Sequence, residues 1–302
     1  MAIAFNSFLI PVDFSQNTDI AVKKAAELAG REGAELHLLH VVRPGDRHAG
    51  SDRNGNKGRG SAACVGLDRL ETLLANQYPG MRIKTHVLPG RSIQRTIIEC
   101  AGLLRPDLIV IGKSEPPKRW FQWRGISPDV IARKSNCPVL TVKPGSAESK
   151  TRVILIPIRN FLPERKLEWA VMLAKRYRAQ VHLLAIQDRQ EQKDWALPQV
   201  FLKAYHQLRE HLHHPIEYSA TGKQSAGKAA LNCAELIMAD MIVVNPETES
   251  GVSGFVGYRH ISDLLKKDSK IQVLDIEPYR HEGAIKKNSP VPISANVGPS
   301  AG

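Results

Sequence analysis

The chain has 302 residues, 42% of them hydrophobic and 24% charged, a globular composition that excludes a collagen-like, disordered or disulfide-scaffold chain. No window reaches the roughly 18 apolar residues of a membrane span, and MAIAFNSFLIPVDFS has no basic residue ahead of its apolar run, which argues against a secretory signal. Forty-two Lys and Arg against 30 Asp and Glu leave +12, unevenly shared: 22 basic and 14 acidic side chains over residues 1–150, 20 and 16 over the rest. That balance favours anionic partners, and it equally serves solubility.

In chain order, Phe8–Val12 is a short apolar run that predicts a strand buried on both faces. Ile20, Ala21, Ala25, Ala26, Leu28 and Ala29 then fall at helical spacing over Thr18–Glu32. Strand Glu35–Val42, helix Leu67–Gln77, strand Arg82–Leu88, helix Ser92–Leu104, strand Leu108–Ile111, helix Ser127–Lys134 and strand Val139–Val142 follow. The second half reads alike, with strands Val153–Ile158, Val181–Ile186, Ile216–Ser219, Met241–Val244 and Ile271–Ile276. Its helices are expected near Pro163–Arg178, Pro198–His213, Ser225–Ala239 and Ile261–Lys267. Strands joined through helices imply a parallel sheet with right-handed crossovers and helices on both faces.

The halves also share sequence. FLIPVDF (8–14) returns as ILIPIRN (154–160), AAELAGREGAELHLL (25–39) as AVMLAKRYRAQVHLL (170–184), PDLIVIG (106–112) as ADMIVVN (239–245), and PVLTVKP (138–144) as QVLDIEP (272–278). Four blocks in one order predict two homologous α/β domains, 1–145 and 151–279, joined by the linker Pro144–Thr151. Arg43–Gly66, rich in Gly, Arg, Asn and Ser, is expected to be a flexible basic loop, and 280–302 a disordered tail.

In an open parallel sheet, ligands bind beyond the carboxyl ends of the strands where strand order reverses. That directs attention to Pro11 through Ser15, to His40-Val41-Val42 and to Gly112 through Ser127. Asp13 either caps the helix after it or accepts a hydrogen bond from a ribose or base, with Ser15 and Asn17 as competing caps. These blocks, with LPGRSIQRTIIECA and SNCPVLTVKP, resemble a universal stress protein domain over residues 5–145 and again over 151–279. The resemblance implies two tandem five-stranded Rossmann-like domains of the adenine-nucleotide-hydrolase type. It also implies self-association through the last strands, which two linked repeats can satisfy as a pseudo-dimer within one chain.

Nucleotide-binding members of that family carry G-x2-G-x9-G-(S/T) after strand four, where bare glycine backbone and a helix start receive phosphates. The pattern falls here on Gly112, Glu115, Gly125 and Ile126, with Ser127 next. A carboxylate at position 115 repels a phosphate by about 4 kcal/mol at ~4 Å and an effective dielectric near 20, half of the roughly 8 kcal/mol of a micromolar ligand. Lys113, Lys118, Arg119 and Arg124 stand near enough in sequence to offset it. The second repeat has Arg159 in place of Asp13, and Asn245, Thr248, Tyr258 and Arg259 at the motif positions. Gly251, Gly254 and Gly257 there suggest a flexible loop without the pattern.

The resemblance therefore points to Pro11, Asp13, Val41, Gly112, Gly125 and Ser127 as the positions a nucleotide or other small anion would use, in a first-domain cleft whose altered motif disfavours ATP, so that no cofactor is expected with certainty. Lys118–Arg124 (KRWFQWR) interleaves bases and aromatics; packing of Trp120, Phe121 and Trp123 is preferred over nucleobase stacking. His211, His213 and His214 suit a helix end better than a metal, and His37, repeated as His182, is read as structural. The four cysteines are widely spaced, as reduced thiols of a cytoplasmic protein are. With no GxSxG, Walker, HExxH or CxxC motif present, the expectation is a cytoplasmic, non-catalytic stress-response factor. An ATP-binding switch or slow ATPase, and a nucleic-acid binder using the basic loops, are the alternatives.

Overall fold

The computed structural model describes residues 5–29, 34–43, 62–113, 126–146, 149–187, 199–222, 224–246, 248–254 and 257–278. The first half runs β1 (Ser7–Pro11), α1 (Gln16–Ala29), β2 (Glu35–Val42), α2 (Ala62–Gln77), β3 (Arg82–Pro89), α3 (Ile93–Leu104), β4 (Leu108–Gly112), α4 (Pro128–Ser135) and β5 (Val139–Val142). A 3-10 turn, Pro144–Ser146, leads into β6 (Val153–Ile158), α5 (Glu164–Tyr177), β7 (Gln180–Ile186), α6 (Gln199–His211) and β8 (Glu217–Thr221). Then come α7 (Ala226–Leu236), β9 (Met241–Val244), β10 (Gly251–Gly254), β11 (Gly257–His260), α8 (Ile261–Leu264) and β12 (Gln272–Asp275).

Ten strands form one sheet in the order β3-β2-β1-β4-β5-β12-β9-β6-β7-β8. Each half is a five-stranded parallel sheet, and the two meet through antiparallel pairing of β5 with β12. Thr141 faces Val273 and Leu140 faces Leu274. In the repeat alignment Val139 corresponds to Val273, Leu140 to Leu274 and Thr141 to Asp275, so the Leu140–Leu274 pair maps onto itself and the Thr141–Val273 pair exchanges with Val139–Asp275 under a two-fold operation, the self-complementary register of a symmetric dimer. The last strands thus satisfy each other inside one chain, which leaves β3 and β8 at the sheet edges.

The duplication extends to detail. Asp107 accepts hydrogen bonds through Oδ2 from the main-chain N–H groups of Asn6 and Ser7, at 2.8 and 3.0 Å. Asp240 does the same for Arg152 and Val153, at 2.7 and 3.1 Å. Arg105 and Met238 close the preceding helices in the left-handed region, φ 49° and 52°. Buried Cys100 and Cys233 occupy matching places, and burial raises the pKa of both thiols.

One face of the sheet carries α1, α2, α5 and α6 over a core that is continuous across both halves, from Phe8, Val110 and Leu140 to Trp169, Leu183 and Phe201. The other face carries two separate clusters, one under α3 and α4 and one under α7 and α8. Phe5 packs edge-on to Trp169 at 5.4 Å, and Arg176 lies 5.9 Å over the Phe5 ring. At the seam, Ser262 donates from N and Oγ to His260 Nδ1, at 3.2 and 2.7 Å, so the Nε2–H of His260 donates to Asp275 Oδ1 at 3.0 Å. Burial pushes the Asp275 carboxyl up from the usual carboxylate range, and His260 acts against that shift.

Two local expectations need correcting. Residues 62–66, read with the basic loop, begin helix α2: Ala63 is buried, and Gly66 leaves room for the Phe14 ring, which a Cβ there would meet at 2.9 Å. Loop composition upstream had swept good helix formers into the same window. Gly251–Gly254 and Gly257–His260, read as part of a flexible loop, pair antiparallel as β10 and β11, and the Gly251 carbonyl lies where a side chain on Gly227 would sit, 2.3 Å away. Helix α8 also stops at Leu264, short of Lys267. Residues 44–61 and 279–302 lie outside the described residues.

Candidate functional site

Strand order reverses between β1 and β4 in the first half and between β6 and β9 in the second, so each half has its crevice at those carboxyl ends. Pro11, Asp13, Val41, Gly112 and Ser127 all come to that end in the first half: Pro11 closes β1, Val41 is the last residue but one of β2, Gly112 ends β4, and Ser127 precedes α4. Gly125, Glu115 and the KRWFQWR segment lie outside the described residues.

The groups at this crevice are bonded to the chain itself. Asp13 Oδ1 accepts from the N–H and Oγ of Ser15, at 3.0 and 2.6 Å, and from Thr18 Oγ1 at 2.9 Å. The Thr18 oxygen in turn accepts from the Asp13 N–H at 3.1 Å. Asp13 thus holds the Ser15 and Thr18 hydroxyls, while the cap contact to α1 is made by the competing residue Ser15, whose Oγ accepts from the Asn17 N–H at 3.2 Å. Phe14, at φ 57°, turns its half-exposed ring onto His40 at 4.8 Å, and the His40 Nδ1–H donates to the Val12 carbonyl at 2.9 Å.

Gly112 has a packing reason to be glycine. A Cβ on it would lie 1.8 Å from the Asn17 carbonyl oxygen of α1, so the end of β4 abuts the helix backbone. Gly112→Ala is therefore expected to destabilise the chain by about 1–3 kcal/mol. Gly102→Ala, at an exposed helical site with nothing within 4 Å, should stabilise it by about 0.5–1 kcal/mol. Urea unfolding of the two variants checks the pair, and equal effects would remove the packing account of Gly112.

Two further groups able to meet a phosphate are engaged by carboxylates. Ser127, the N-cap of α4, donates its hydroxyl to Asp129 Oδ1 in a very short contact, while its N–H donates to Gln94 Oε1 at 2.7 Å. Asp129 is buried in the first turn of α4, where the helix dipole favours a negative charge. Lys113, directly after Gly112, donates to Asp263 Oδ1 of α8 at 2.6 Å and to the Ile126 carbonyl at 3.3 Å. The cation that follows the first-half crevice strand is thus held by the second half.

In the second half a buried ion pair lies at the corresponding end of the sheet. Lys166, fully buried in the first turn of α5, donates to the Pro157 carbonyl at 2.5 Å and to Glu249 Oε2 at 2.6 Å. Glu249 is buried as well, and its Oε2 also accepts from the Asn245 N–H at 2.9 Å. Burial pulls the Lys166 ammonium below the ordinary lysine range, and Glu249 pulls it back. Arg159, at the place of Asp13, reaches the Thr248 carbonyl at 3.3 Å and joins the end of β6 to the loop after β9.

Other candidates resolve as structure. His37 lies between Glu35, at 2.8 Å, and His86, at 3.0 Å, and burial lowers the pKa of both imidazoles. His182 holds Ser219 at 2.9 Å. Burial raises the Cys137 thiol to about 12, which leaves it protonated and unreactive. Among the described residues no group of three or more His, Cys, Asp and Glu is placed to hold a metal, and no helix is long and apolar enough to cross a membrane.

Two parallel sheets of Rossmann type, each with a crevice at its switch point and joined through their last strands, define a tandem nucleotide-fold protein. Residues 4–143 match the model of the universal stress protein family, so the first half is a domain of that family. No curated protein sequence matches it. Among solved structures, a universal stress protein from Archaeoglobus fulgidus DSM 4304 superposes with a TM-score of 0.59 at 15% identity, over 91% of this chain and 97% of that one. A functionally unknown protein from Pseudomonas aeruginosa PAO1 gives 0.58 at 19% identity, over 91% and 93%. The cytoplasmic domain of a prokaryotic cation chloride cotransporter gives 0.51 at 12% identity, over 90% and 95%. Each of these likenesses covers both halves and concerns the fold alone.

Proposed function

We propose that the protein is a non-catalytic universal stress protein that works without bound nucleotide, its first-half cleft a vestige and its second half a built-in dimer partner. One observation carries the reading: Lys113 and Ser127, two groups at the first-half crevice suited to a phosphate, are each bonded to a carboxylate of the chain, Asp263 and Asp129. A triphosphate entering there must displace or lie beside both anions, and either course costs affinity. The role in stress response follows from the family of the first half. The reading as non-catalytic is supported by the sequence, which carries no GxSxG, Walker, HExxH or CxxC motif.

Titrating ATP-Mg into the full chain by calorimetry tests this. The expected result is no binding heat below about millimolar ligand, equivalent to no more than ~4 kcal/mol, and no ATP turnover over the same range. Saturable micromolar binding would restore the ATP-switch alternative and end this reading. A nucleic-acid interface would announce itself by binding that weakens steeply with salt.

A further inference from the structure

The loop between β9 and β10 folds back on itself: the Glu249 N–H donates to the Asn245 carbonyl at 3.1 Å, and the Ser250 carbonyl accepts from Ile261 at 2.7 Å. This return brings the Glu249 carboxylate down onto the switch point between β6 and β9, against Lys166 Nζ and the Asn245 N–H. A buried ammonium on a first helical turn beside a main-chain N–H at a strand end is the donor set that receives a compact oxyanion in parallel-sheet folds. Here the anion is part of the chain. We infer that Glu249 is a resident ligand mimic, occupying an oxyanion site built by Lys166 and the Asn245 backbone and keeping the second half in a closed, loaded-like state without any free ligand.

The repeat alignment supports a replacement rather than an incidental pair. Lys166 corresponds to Ala21, which is fully buried in the core of the first half, so the second half has gained a cation there. Asn245 corresponds to Gly112, the strand end where the first half brings its helix backbone close. The inference rests on the reading that the second half takes no nucleotide, and it adds what fills the space.

The test is chemical rescue in the full chain. Glu249→Ala removes the carboxylate and should lower Tm. Sodium formate or acetate should then raise that Tm by about 3–6 °C over sodium chloride at equal ionic strength, since an anion that binds only the folded state stabilises it by mass action. Neither the wild type nor Lys166→Met/Glu249→Ala should respond. Equal responses in all three proteins, or none in Glu249→Ala, overturn the inference. Should Glu249→Ala fail to fold, the comparison of Glu249→Asp with Glu249→Gln decides. The shorter carboxylate must be the more stable if charge on Lys166 is the role, and the isosteric amide the more stable if shape is. ATP-Mg binding by the wild type would undo the underlying reading while leaving the acetate result to stand or fall by itself.

Discussion

Replacing Lys166 by methionine is expected to cost about 3–5 kcal/mol of stability, because it leaves the Glu249 carboxylate buried and without its counter-charge. The size of the loss reflects position: both partners are nearly inaccessible to water, so solvent screens neither charge. An exposed pair makes the contrast. Arg95 and Glu99 lie 2.8 Å apart on the surface of α3, and breaking that bridge should change stability by no more than ~0.5 kcal/mol. Lys166→Met/Glu249→Gln should recover at least half of the loss, because the amide still accepts the Asn245 N–H while no unpaired charge remains. Urea unfolding followed by circular dichroism measures all three variants. If the double variant is as unstable as the single, Lys166 acts by packing its stem and the electrostatic account is wrong.

This pair also marks the limit of what the sequence discloses. Glu249 stands 83 residues from Lys166, and nothing in either neighbourhood names the other. A positional signal did exist: Lys166 extends the buried stripe of Leu167, Ala170, Leu173 and Ala174, and a lysine on such a stripe requires a partner. The strands and helices were legible because each is a periodic pattern that a parallel sheet imposes locally, as in β4 and in β1 after Ser7, which are apolar throughout. The pairing of β10 with β11 was not, because glycines at 251, 254 and 257 read equally as loop, and the packing of Gly251 on Gly227 is a tertiary fact. Gly112 shows the opposite hazard. Its match to a phosphate-loop position is genuine in sequence, yet the structure gives the residue a second reason, the Asn17 carbonyl.

The largest effect is expected at the seam. Leu140 and Leu274 face each other where β5 meets β12, and both belong to the core that runs across the two halves. Because that core is shared, the wild-type chain should unfold in one calorimetric transition, with matching van't Hoff and calorimetric enthalpies. Leu274→Asp places a carboxylate in the shared core, and the neighbouring residue shows what such a charge needs. Asp275 is tolerated at the same strand because His260 donates to it from an imidazole fixed by Ser262; residue 274, on the opposite face of the strand, is lined by apolar side chains. The substitution should therefore cost more than about 4 kcal/mol and split the transition in two, as the halves lose their common core. Leu236→Asp, at an exposed leucine ending α7, should leave the single transition intact. Two transitions in the wild type would mean that the halves are joined by the chain alone, and the two-fold register of β5 and β12 would then contribute nothing to cooperativity.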